Sequence, residues 1–200
     1  KPMDIFGPQW VGHADRMREA WDEMVGPEDW VLVAGDTSWG LNLEQALPDL
    51  QWLGERPGNK ILIRGNHCTW WRSRRKVDAV LHPSIRTLQN DAVPMPDGTV
   101  VIGGRLWDPP DAPWADENAE KIFNRELGRL RLSIAAGKEL TGDRTLALVH
   151  YPPRYTDGRV TAVVPLLQDA GVSTCVYGHL HGKDHKHGFQ GEAGGIRYYL

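Results

Sequence analysis

Apolar residues recur at helical intervals near the start of the chain: Trp10, Ala14, Met17, Trp21, Met24 and Val25 fall on one stripe, closed by Gly26-Pro27. That spacing predicts an amphipathic helix over 10–25. Residues 29–34 then form a short apolar run ending in Gly35-Asp36, the pattern of a buried strand that delivers a polar residue at its carboxyl end. A second helix is expected over about 42–54, and the unit recurs. Lys60-Ile61-Leu62-Ile63-Arg64 reads as a strand, Gly65-Asn66-His67 as its terminal loop and residues 70–81 as a helix. Further strands are predicted at 85–88, 99–103, 145–149, 173–177 and 195–200, and helices near 119–136 and 160–170. A βα-like first half and a hairpin-like middle predict an α/β (α+β) chain with a mixed sheet flanked by helices. Residues 106–117, rich in Pro, Asp and Trp, read as a surface loop long enough to have a task.

Composition narrows this picture. Two hundred residues that are 40% hydrophobic bury one core comfortably, so a single domain over 1–200 is expected. The formal net charge of -3 leaves no broad basic field of the kind that nucleic-acid binders carry. Phosphate binding, if present, must be local or mediated by cations. Cys68 and Cys175 are too few for a disulfide framework, which points to a reducing cytoplasm. No run approaches the roughly 18 apolar residues that span a bilayer, and no signal peptide opens the chain, so no membrane partner is expected.

The residues that follow the apolar strands form a group with shared chemistry: Gly35-Asp36, Gly65-Asn66-His67, His150 and Gly178-His179-Leu180-His181. All are able to bind a metal or move a proton. In open α/β sheets the carboxyl edge is where ligands bind, so several strands can bring such groups to one crevice. A glycine before each group lets the backbone turn sharply and approach an ion or phosphate closely. Asp supplies a hard oxygen, Asn a neutral carbonyl and His a nitrogen, and mixed N/O ligation argues for a transition metal.

Four blocks, GDTSW (35–39), RGNH (64–67), VHYPP (149–153) and YGHLHG (177–182), resemble in order and spacing the motifs of calcineurin-like metallophosphoesterases. KPMDIFG at the start and the Trp70-Trp71 pair resemble a bacterial branch of small members. The resemblance implies a four-layer αββα sandwich and a metal-dependent phosphoesterase that hydrolyses a phosphodiester or phosphomonoester, with a small phosphoester or nucleotide as substrate. Carried over residue by residue, Asp36 is similar to the carboxylate that bridges two metals. Asn66, His150 and His179 then complete the second site, His181 serves the first, and His67 is similar to the catalytic histidine rather than to a ligand. The cofactor implied is a divalent transition metal, Mn or Fe/Zn, and the chemistry is in-line attack on phosphorus by a metal-bound hydroxide.

Two positions depart from the family pattern. An Asp-x-His block on a first strand supplies two ligands of the first metal, and no Asp-x-His occurs here. A strand preceding Lys1 is therefore expected, the extreme C-terminus is a second end at which residues can be missing, and of the two sites the first is incomplete in the chain as it stands. Cys68 follows the GNH block where the family commonly has Asp or Glu, and a thiol orients His67 poorly. Both departures favour the alternative of a weakened phosphoesterase fold serving as a protein-interaction scaffold. Plainer readings stand beside several residues. Asp36 can cap the helix near Asn42, and His185 and His187 read as a solvated loop. Arg72, Arg74, Arg75 and Lys76 read as a solvated helix face. Trp70 reads as core, whereas Trp107 and Trp114 are open between the core and a cleft mouth.

Overall fold

The structure is a computed structural model that describes residues 3–113 and 115–200. Five α-helices and nine strands are assigned among them, and they gather into two compact units. One comprises most of the chain up to Thr87. The other contains Leu88–Leu200 together with two short pieces, Ala34–Asp36 and Leu62–Asn66.

In the first unit, two short 3-10 turns, Met3–Phe6 and Pro8–Trp10, lead into helix α1 (His13–Met24), none of whose residues is buried. The helical stripe expected from residue 10 therefore begins three residues later, because Gly12 adopts a left-handed conformation at its N-cap. Strand β1 (Trp30–Val33) is followed by α2 (Leu43–Glu55), capped by the Asn42 side chain, which accepts from the Gln45 N–H at 3.0 Å. The cap that Asp36 was a candidate for thus belongs to Asn42. Strand β2 (Asn59–Leu62), helix α3 (Arg74–Asp78) and strand β3 (Ile85–Thr87) complete a three-stranded sheet in the order β1-β2-β3. The helix expected over 70–81 is much shorter than its apolar spacing suggests. Trp70 and Trp71 are both buried, and Trp70 Nε1 donates to the Ser38 carbonyl at 3.2 Å, which holds the pair in a turn before α3 can start.

The second unit is built on a six-stranded sheet of order β4-β5-β6-β7-β9-β8. Its strands are β4 (Val93–Pro94), β5 (Thr99–Gly104), β6 (Arg144–Val149), β7 (Val172–Val176), β8 (Gly191–Ala193) and β9 (Ile196–Tyr199). The four central strands run parallel and both edges are antiparallel, so the sheet is mixed as expected. β5 is apolar and buried almost throughout, as a strand covered on both faces must be. Helix α4 (Ala119–Lys138) packs on β5, and a Cβ at Gly137 would stand 2.6 Å from Ile102 Cγ2, which is why this turn of the helix is glycine. Ser133 on α4 accepts from the Gly103 N–H at 2.9 Å and donates to the Asp91 carbonyl at 2.5 Å. Helix α5 (Val163–Asp169) contributes Val163 and Leu167 to the same core, beside Phe123, Leu127, Leu130, Val149 and Cys175. Cys68 and Cys175 are both buried, and neither is in a disulfide. Among the described residues no helix is long and apolar enough to cross a membrane.

What this topology does for function is local. Gly104 pairs with Val149 at the carboxyl ends of β5 and β6, and the next N–H, that of His150, donates to the Gly104 carbonyl at 3.2 Å. The Gly178 N–H, just past β7, donates to the His150 carbonyl at 3.2 Å. The parallel strand ends are thereby tied side by side.

Candidate metal centre

Four of the sequence-predicted residues meet at this edge, all within the second unit. Asn66 Oδ1 lies 2.7 Å from His150 Nε2 and 3.0 Å from His179 Nδ1, and Asp36 Oδ2 lies 3.4 Å from His150 Nε2. His150 is buried, at 1% side-chain exposure, and its ring meets that of His179 edge-on at 5.1 Å. The glycines make the approach possible. A Cβ at Gly65 would sit 2.1 Å from Asp36 Oδ1, and one at Gly35, whose φ is +94°, would meet the Gly65 nitrogen at 2.6 Å and His150 Nδ1 at 3.0 Å. Asp36 and His179 themselves take left-handed backbone conformations, φ 54° and 72°, of the kind that functional loops hold against local strain.

The protons decide what the cluster is suited to hold. His150 Nδ1 is 2.7 Å from the Ala34 carbonyl, which can only accept, so Nδ1 carries the hydrogen. In the neutral ring, Nε2 then directs a lone pair at Asn66 Oδ1 and Asp36 Oδ2, two atoms that also offer lone pairs. Such a convergence is stable only with a positive species among the atoms, a proton or a cation. A histidine whose second nitrogen donates to a backbone carbonyl is also the usual arrangement of a metal ligand. The donor set of two imidazole nitrogens, a carboxylate and an amide oxygen therefore fits a single divalent transition ion. Among the described residues no three His, Cys, Asp or Glu side chains form a cage of their own, which leaves the amide of Asn66 as the hub of the group.

The remaining predicted residues are placed differently. His181 is exposed at the start of the 3-10 helix Gly182–His187, and its imidazole makes no hydrogen bond or ring contact with the cluster. Extended alternation would have put it on the same side as His179, but the left-handed conformation at His179 breaks that alternation. His67 is exposed, follows Asn66 directly, and stacks on Trp39 with ring centroids 4.9 Å apart and planes 7° from parallel. Cys68 is fully buried. His185 and His187 are exposed, and so are Arg72, Arg75 and Lys76, whereas Arg74 donates to Thr87 Oγ1 at 2.9 Å. Trp114 lies outside the described residues.

Comparison with known proteins gives this geometry a context. The family model for calcineurin-like phosphoesterases matches residues 4–183. The chain belongs to that family. A solved structure, phosphopantetheinyl hydrolase (PptH) from Mycobacterium tuberculosis, superposes with a TM-score of 0.58 over 90% of this chain and 82% of its own, at 16% identity, and so shares the fold. Two curated relatives are similar over one segment each. The Gene 66 protein of Mycobacterium phage D29 is 50% identical over 60 residues, and that of phage L5 is 44% identical over 55. These segments span 30% and 26% of the relatives' own lengths and 29% and 28% of this chain.

Within the calcineurin-like frame, three further residues were not singled out for a role by sequence reasoning. Tyr151, next to His150, is buried and lies 4.0 Å from His179 between ring centroids, with Trp107 5.2 Å away on it. Burial pushes its hydroxyl well above the ordinary tyrosine range, and the charge of Asp108 adds to the shift. Tyr151 therefore acts as an uncharged wall that holds the His179 ring. Trp107 is accordingly part of the packing around the site. Trp39 lies inside the GDTSW block and supports His67, a placement that no periodicity announces. Arg105 follows Gly104 directly, and its guanidinium lies over the Trp107 ring at 4.7 Å.

Proposed function

We propose that this chain is a metal-dependent phosphoesterase acting on a small phosphodiester or phosphomonoester, a nucleotide among the candidates. The observation that supports it is the meeting of Asp36, Asn66, His150 and His179 around one point, with the His150 tautomer fixed by the Ala34 carbonyl. A divalent ion there, Mn or Fe/Zn, would supply charge neutralisation at the phosphoryl oxygens and a water acidified for attack. The protein's own contribution is positional. Asn66 orients two imidazoles through one oxygen, Asp36 brings the anionic charge, and Tyr151 excludes water from one side of His179. His67, next in the chain to Asn66 and stacked on Trp39, is the group assigned to protonate the leaving oxygen. With neither cysteine in a disulfide, the reading has the reaction take place in a reducing compartment such as the cytoplasm.

The exposed position of His181 favours one firmly held metal rather than two, and it keeps the scaffold alternative open to the same experiment. Hydrolysis of bis-p-nitrophenyl phosphate and p-nitrophenyl phosphate is assayed with Mn, Ni, Co and Zn in turn, alongside metal analysis after dialysis. The expected result is metal-dependent turnover and about one retained equivalent, both lost in Asp36→Asn and His150→Ala. A folded protein without turnover under any metal would make the scaffold the correct reading. Turnover that survives both substitutions would dismiss the cluster as the site.

A further inference from the structure

A small cavity opens beside the cluster at the end of β5, lined among others by Arg64, Asn90, Arg105, Leu106, Glu126 and Arg129. Its volume is about 20 Å³, room for water-sized groups. That admits one or two such groups, which matches the oxygens at one edge of an oxyanion and excludes a ring. Three of the six named residues are arginines, and guanidinium stays charged at any pH a protein survives. The one carboxylate among them, Glu126, is 2% exposed and is divided among three partners: Arg105 at 2.8 Å, Arg125 at 3.4 Å and Arg129 at 3.6 Å. Arg105, Arg125 and Arg129 thus share a single carboxylate.

Arg105 is the sharpest part of the argument. Its side chain is only 10% exposed, one nitrogen reaches Glu126, its flat face rests on Trp107, and its Nε–H is buried with no acceptor. A buried guanidinium donor left without an acceptor carries a desolvation penalty, and an arriving anion would remove it. Backbone conformation marks the same place. Among the described residues the non-glycine positions with positive φ are Asp36, Asn90, Leu106 and His179. Two belong to the metal cluster and the other two line this cavity, although a left-handed leucine has no local stabilisation of its own. The two places are neighbours in the sheet, since Gly104, which precedes Arg105, accepts the His150 N–H.

We propose that the Arg105 cavity is a subsite for a compact oxyanion, a second and non-scissile phosphate carried by the substrate. The substrate class is then a phosphoester bearing two phosphate groups, one at the cluster and one at Arg105. The phosphoesterase reading supplies the reason for a substrate to be there, but the anion site itself is tested without hydrolysis.

Isothermal titration of inorganic phosphate into metal-free protein reads the cavity alone, because no cation at the cluster is present to attract the anion. Wild type and Asp36→Asn are expected to bind about one equivalent equally well. Arg129→Gln, at a half-exposed position, and the charge-balanced double variant Arg105→Gln/Glu126→Gln are expected to lose at least tenfold in affinity, with folding checked by circular dichroism. Absence of binding in wild type, or equal binding in both arginine variants, overturns the proposal. Binding lost in Asp36→Asn alone overturns it as well, by assigning the anion to the cluster. With metal added, adenosine 3′,5′-bisphosphate is expected to show a KM at least tenfold below that of adenosine 5′-phosphate, and the double variant to erase the difference. A difference that persists in the double variant removes the two-phosphate assignment. If neither nucleotide is hydrolysed while phosphate still binds at Arg105, it is the phosphoesterase reading that fails.

Discussion

His67 and Cys68 show how one substitution changes the demands on its neighbours. A carboxylate after the GNH block would balance a charged imidazole and fix its plane, whereas Cys68 is a fully buried thiol. The plane of His67 lies along the indole of Trp39, 7° from parallel, and Phe6 leans on Trp39 at 5.6 Å. If His67 donates the proton to the leaving oxygen, His67→Ala lowers turnover by about 10²–10⁴-fold, the range for a positioned acid. On that assignment His67 stands outside the donor set, so retained metal, measured by atomic absorption on the dialysed protein, is expected to stay at the wild-type level. Metal lost together with His67 would reverse the assignment and make this histidine part of the donor set.

Among the elements, β5 and α4 carry the greatest functional consequence, because the end of β5 sets both the His150 backbone and the start of the arginine cavity. Their junction depends on one hydroxyl. Ser133 is fully buried and satisfies the Gly103 N–H and the Asp91 carbonyl at once. Ser133→Ala leaves the buried Gly103 N–H without the hydroxyl it donates to, and is expected to destabilise the protein by about 1–3 kcal/mol, read as a lower urea midpoint with unchanged slope. A shift within error would show that water takes the place of the hydroxyl. Local sequence pattern located both elements within a few residues, since β5 is continuously apolar and α4 carries its buried residues at helical spacing. It did not reveal that a serine on one joins a glycine on the other, a contact spanning 30 positions.

At the scale of the whole molecule, the second unit holds four of its five tyrosines as protonated groups. Burial raises Tyr151, Tyr155, Tyr177 and Tyr198 above the ordinary value of 10.0, and it raises the Cys175 thiol above 9.0. For a group whose folded value is raised, the stabilising contribution is complete below its unfolded value and is lost as pH rises through the window between the two. Here the window opens near pH 9 with Cys175 and widens near 10 with the tyrosines. Thermal stability is therefore expected to fall from about pH 9 upward and steeply above 10. Ultraviolet difference spectra should show the four buried tyrosines releasing their protons together with unfolding. Ionisation of these four near pH 10 in a chain still folded by circular dichroism would contradict the burial argument.

The sequence by itself determined the order of helices and strands apart from the short edge strands β4 and β8, the ligand-type residues at strand ends, and the need for glycine before Asp36 and Asn66. Those features are local: apolar periodicity specifies an element, and a missing Cβ permits a close approach wherever the chain folds. It misjudged the Trp70-Trp71 segment, whose apolar spacing is that of a helix but whose indoles are buried in a turn. Tertiary structure alone decided which strand ends lie together, and with them that Asn66 stands between His150 and His179 while His181 faces solvent. It also decided that Arg105, an ordinary residue after two glycines, is buried with an unmatched Nε–H beside a divided carboxylate. Such properties arise from side chains that lie far apart in sequence and share one desolvated space, and no pattern along the chain encodes the charge balance of that space.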